Sequence, residues 1–148
     1  MKKKRVIVLC GVSGVGKTWK RTNDWELRGL PFVDVKDIYR QYEVEDQIPN
    51  WESVTDDAID EVKALLAENQ QVVLEGYFLR GSGSRRMVFA NLQRDESQVD
   101  FIDLEAPLPL CIGRIEAQRA SKEITENDAQ NRIDMARRCF KTSKEFKS

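Results

Sequence analysis

The segment Gly11-Val12-Ser13-Gly14-Val15-Gly16-Lys17-Thr18 holds, at fixed spacing, the residue types that a polyphosphate requires. Its glycines let the backbone curl so that successive N–H groups, including those of Ser13 and Val15, point at one anion. Lys17 adds a mobile cation for the β and γ phosphates, and the Thr18 hydroxyl is a hard oxygen ligand for Mg²⁺. Gly11, Ser13, Gly14, Val15, Gly16, Lys17 and Thr18 are therefore expected to hold a nucleoside triphosphate, with ATP and Mg²⁺ as cofactors. The chemistry to which such a loop points is phosphoryl transfer, where positioning and charge replace covalent steps.

The loop needs a strand before it and a helix after it. Val6-Ile7-Val8-Leu9-Cys10 is a short apolar run rich in β-branched residues and closed by glycine, as expected of a strand buried on both faces. A helical segment over 17–27 follows. Val72-Val73-Leu74-Glu75-Gly76 reads as a second buried strand, whose last side chain, Glu75, lies at the carboxyl end where open α/β sheets hold their ligands. Glu75 is thus the candidate second metal-side group beside Thr18, or else a carboxylate that caps the following turn.

Two further sets of charges are candidates for the acceptor and the transition state. In Asp37-Ile38-Tyr39-Arg40, helical i, i+3 spacing puts a carboxylate and a guanidinium on one face. Asp37 is expected to take or orient the proton of an acceptor hydroxyl, with Asp34 as the rival carboxylate, and Arg40 to hold an anionic part of the acceptor. Both residues also fit a plain surface ion pair. Arg114 and Arg119 precede a polar stretch, 121–127, that is expected to form a lid; Arg119 is the candidate catalytic cation on closure. Arg80, with Arg85 and Arg86, flanks a Gly-Ser loop and is a candidate grip on acceptor phosphate, the alternative being a solvated helix start.

These groups are spread over the length of one ordinary domain, 1–148, with apolar content of 41%. Runs over 31–35 and 99–104 complete a set of four strands separated by enough chain for crossover helices. The clearest of these spans 52–68 behind Asn50 as N-cap, and others lie over 110–120 and 128–144, the last with Ile133, Ala136, Arg137 and Phe140 on one face. The alternation predicts a three-layer α/β fold of the P-loop NTPase-like kind, with a mainly parallel sheet of four or five strands and helices on both faces. Lys and Arg total 24 against 25 Asp and Glu, so no global field gathers a polyanion and any nucleic-acid contact must be local. With no histidine and three scattered cysteines, Cys10, Cys111 and Cys139, a zinc site is not expected and the thiols read as reduced. The basic start precedes only five apolar residues, too few for a signal core or a membrane span, so a cytoplasmic location is expected.

The order of phosphate loop, D-x-x-R after the second strand, acid-ended strand and arginines before a lid resembles the small P-loop kinases related to polynucleotide 5′-hydroxyl kinase. The resemblance covers nearly the whole chain. It implies that Asp37 activates the acceptor, Arg40 binds it, Glu75 serves the metal and Arg119 is the lid arginine. It also implies an acceptor that is a nucleoside, nucleotide or nucleic-acid end; zeta-type toxins and small-metabolite kinases share the skeleton, making a metabolite or nucleotide sugar the alternative. A nucleotide-dependent switch is the reading from another class, although no Asn-Lys-x-Asp guanine motif occurs. The family's loop usually continues with a small hydroxyl residue, whereas Trp19 follows Thr18 here; it is expected to pack on the sheet, with stacking on a base as the alternative.

Overall fold

A computed structural model describes residues 3–45 and 50–138 in full, together with the backbone of 139–147. The elements run β1 (Arg5–Cys10), α1 (Lys17–Asn23), β2 (Phe32–Asp34), α2 (Val35–Val44), α3 (Trp51–Leu66), β3 (Gln71–Gly76), α4 (Gly83–Arg94), β4 (Gln98–Asp103), α5 (Leu108–Ala120) and α6 (Glu126–Lys147). The four strands pair entirely in parallel in the order β2-β3-β1-β4. Cys10 lies level with Gly76 and Asp103, and Asp34 with Glu75, so the strands' carboxyl ends form one edge.

Alternation along β1 explains how the sheet is held. Val6, Val8 and Cys10 point into a large core that takes in Val54, Ala58 and Val62 of α3 and Val88 and Leu92 of α4. Ile7 and Leu9 point the other way, into a smaller core with Val73 and Leu27. A strand buried on both faces has no polar positions, hence the unbroken apolar run. Truncating a fully buried side chain such as Leu74 to alanine would cost about 2–5 kcal/mol. The α5–α6 pair keeps its own cluster of Ile115, Ala129 and Ile133. Ala136 is buried with that face while Arg137 is exposed, and the side chain of Phe140 lies outside the described residues.

Boundaries differ from the sequence expectation where side chains cap the backbone. The first helix stops at Asn23 rather than near residue 27, because the Asp24 carboxylate accepts from the Glu26 N–H at 2.9 Å and from Lys20, which turns the chain. The second strand ends at Asp34, whose Oδ1 accepts from the Lys36 N–H at 3.0 Å and so starts α2 at Val35. Asn50 does cap α3, accepting from the Ser53 N–H at 2.9 Å. The Gly-Ser stretch is mostly helix start: Ser82 caps α4, which begins at Gly83. Among the described residues no helix is long and apolar enough to cross a membrane.

Candidate active site

The phosphate loop joins β1 to α1. Gly14 sits at φ 83, and a Cβ there would lie 2.6 Å from the Cys111 carbonyl oxygen of α5, so only glycine fits on both counts. Lys17 reaches back along the loop and donates from Nζ to the Gly11 and Val12 carbonyls at 2.5 and 2.9 Å. Burial, which outweighs the opposing pull of Glu75, lowers its ammonium from the ordinary 10.5 to about 8.

Thr18 and Glu75 meet as the sequence pattern expects. The Thr18 hydroxyl donates to Glu75 Oε1 at 2.5 Å, and Glu75 is only 3% exposed. The other carboxylate oxygen accepts from Arg21 Nε at 2.8 Å, and the Arg21 guanidinium lies 3.5 Å from the centroid of the Phe32 ring on β2. Arg21 is absent from the motif reading; its position four residues after Lys17, on the face of α1 turned to β3, is the signal that places it.

Beside Glu75 at the strand edge, Asp34 lines a cleft of about 1630 Å³ shared with the phosphate loop, Arg40, Arg114 and Arg132. Its side chain is 10% exposed, and burial, with Glu75 adding to it, raises its carboxyl above the ordinary range. Asp37 lies one turn further on, 59% exposed and 3.8 Å from Arg40 Nη1, and is not among the cleft-lining residues.

The arginines separate by position. Arg114 Nη1 donates to the Gly14 carbonyl at 2.7 Å, which ties α5 to the phosphate loop. Arg132 is buried in the cleft wall, paired with Asp128 at 3.0 Å. Arg119 instead pairs with Glu116 on its own helix and lies outside the cleft lining. Arg80 and Arg85 both bind Asp103 at the end of β4, at 3.1 and 2.6 Å, with Arg85 also stacked on Phe101. Burial pushes the Asp103 carboxyl up, but these two guanidiniums hold it below the usual range. Trp19 does not pack on the sheet. It is 70% exposed and lines the cleft, as does Trp25 at 76%.

Cys10 and Cys111 are free and buried thiols, and burial pushes Cys10 up to about 12. Among the described residues no group of three or more His, Cys, Asp or Glu side chains converges as a metal cage. A hydroxyl and one carboxylate fit a cation that carries most of its ligands as phosphate oxygens and water.

A family model described as an AAA domain matches residues 6–142, and the chain belongs to that P-loop family. No curated protein matches the sequence significantly. Among solved structures, the fold is shared with a chain of the Pnkp1/Rnl/Hen1 RNA repair complex (TM-score 0.65, 18% identity, 98% of this chain and 46% of that one), so this chain spans less than half of that relative. It is shared also with an inferred kinase from Chloroflexus aurantiacus J-10-fl (0.64, 16%, 88% and 75%) and an unliganded sugar kinase from Janibacter sp. HTCC2649 (0.55, 19%, 90% and 92%).

Proposed function

We propose that the protein is an ATP-dependent kinase that moves the γ-phosphate to a hydroxyl of a nucleoside, nucleotide or nucleic-acid end. The observation that carries the reading is one cleft lined by the Lys17–Thr18–Glu75 constellation, by Asp34 level with Glu75 on the next strand, and by Arg40 of α2. A desolvated carboxylate beside the metal-side group suits an acceptor hydroxyl, and a nucleotide binder that only switches has no use for it. Lys17 draws charge from the transferring group, Thr18 is the metal's protein ligand, and Glu75 orients the Thr18 hydroxyl. Asp34, the more buried of the two carboxylates and the one that lines the cleft, takes or orients the acceptor proton; Asp37 supports Arg40, which grips an anionic acceptor. Exposed Trp19 offers its ring to a base, and the RNA repair complex named for one structural relative points the same way.

The mutual coverage with the sugar kinase keeps a small-metabolite acceptor as the second reading. Incubation with γ-labelled ATP and a panel of nucleosides, 3′-nucleotides, DNA, RNA and sugars decides: label on a base-bearing hydroxyl supports the first reading, label on a sugar alone supports the second, and free phosphate alone defeats both. With the acceptor in hand, Arg40→Ala should raise its KM more than it lowers kcat.

A further inference from the structure

Glu75 is almost fully buried, and an isolated carboxylate in that position would be strongly penalised by the loss of its hydration. It is held on both oxygens, by the Thr18 hydroxyl and by Arg21 Nε. Arg21 is itself only 13% exposed in its side chain and is gripped a second time by the Phe32 ring beneath its guanidinium plane. Phe32 belongs to the edge strand that carries Asp34, so the cation is fixed by α1, β2 and β3 together.

We propose that Arg21 is a built-in counter-ion for Glu75, so that the empty protein takes up no divalent cation here and the metal comes only as the nucleotide complex. The inference rests on the reading above, in which Glu75 serves the metal side. The Glu75–Arg21 pair is neutral, and Lys17 adds a positive charge close to it, so a bare cation meets no net attraction. Asp34 beside Glu75 is the other nearby carboxylate; it offsets Lys17 and is itself engaged by the Lys36 N–H and ammonium, and no group of three or more ligand-type side chains converges among the described residues. A triphosphate brings its own negative charge and most of the oxygen ligands. The Thr18 hydroxyl, its proton directed to Glu75, keeps a lone pair for the metal while Arg21 stays where it is. Arg21 is thus a positioning residue that makes metal uptake conditional on nucleotide.

Mn²⁺ titration of the nucleotide-free protein, followed by the paramagnetic resonance signal of free Mn²⁺, tests this. Wild type should leave the ion free, while Arg21→Gln, which keeps an N–H for Glu75 but no charge, should bind one ion at least about five-fold more tightly. Arg21→Lys should stay near wild type, and Arg21→Gln combined with Glu75→Gln should lose the gain. Arg21→Met is a second charge-free variant, and thermal unfolding checks each fold. Wild-type-like Mn²⁺ binding in whichever charge-free variants fold overturns the inference, as does failure of both to fold while Arg21→Lys folds, since the charge then serves stability. Tight Mn²⁺ binding by the empty wild type also overturns it. The Mg²⁺ dependence of ATP binding in Glu75→Gln separates the two levels. If it is unchanged, Glu75 is not a metal-side group and the underlying reading falls; if it shifts while the Arg21 variants behave as wild type, only the counter-ion falls.

Discussion

On the β1–β3 wall of the cleft the charged groups are already held: Lys17 by two loop carbonyls, Glu75 by Thr18 and Arg21, and the loop itself by Arg114. On the α2 wall Arg40 lines the cleft with Asp37 just outside it; each is more than half exposed and they meet only at 3.8 Å. The first wall is preorganised, so its charges need little reorganisation when a triphosphate arrives. The second is solvated and screened by salt, and an exposed pair of this kind contributes about 0–1 kcal/mol to the fold. On the proposed reading the nucleotide side of the cleft is a preformed seat, whereas the α2 side offered to the acceptor is held by little in the empty protein.

The two candidate carboxylates, buried Asp34 at the strand edge and exposed Asp37 on α2, give the largest expected effect. Asp34→Asn should slow acceptor phosphorylation by about 10²–10⁴ with ATP affinity kept within a few-fold, the usual range for a lost base. Asp37→Asn should cost far less; single-turnover rates and nucleotide titrations check both, and the reverse ranking would move the base to the exposed turn. On the rigid wall, Lys17→Met should lower kcat/KM by about 10², as for a lost charge contact worth about 3 kcal/mol, without loss of fold by circular dichroism. Because burial lowers Lys17 to about 8, the unfolded chain holds a proton between pH 8 and 10.5 that the folded chain has released. Stability of the empty protein should therefore rise across that window while ATP binding weakens, two opposite slopes that denaturant melts and nucleotide titrations on either side of pH 8 would show.

Smaller effects sharpen the contrast. Arg114→Ala should reduce kcat roughly 10-fold, whereas Arg119→Ala, which loses only a partner on its own helix, should stay within about two-fold. Steady-state kinetics would place the transition-state cation. Trp19→Ala should weaken base-bearing ligands about five-fold or more and leave tripolyphosphate binding unchanged, as competition titrations would read.

What could be read from the sequence follows the same division. The loop and its flanking strand were legible because their constraints are local: glycines at positive φ, a lysine one turn on, an apolar run with no polar face. Glu75 was legible because a strand's end is also a sheet's edge. The arginines were not, since the faces of α5 turned to Gly14 and to solvent carry the same residue type, and only packing tells Arg114 from Arg119. Trp19 escaped for a similar reason: a tryptophan is ordinarily a core residue, and nothing local announces that Arg21 rather than Trp19 is the α1 side chain turned to the sheet. The Arg21–Phe32 contact joins residues on separate elements whose neighbourhood depends on β2 lying beside β3.

The flanks of the sheet bear on how the protein behaves in a crowded cell. β2 offers only three residues of edge, and β4, on the opposite side, carries Asp100, paired with Arg5, and Asp103, paired with Arg80 and Arg85. Unpaired backbone on a long, uncharged edge invites another chain to add a strand, and short or charged edges refuse it. Both edges of this open parallel sheet are thereby poor templates for an added strand.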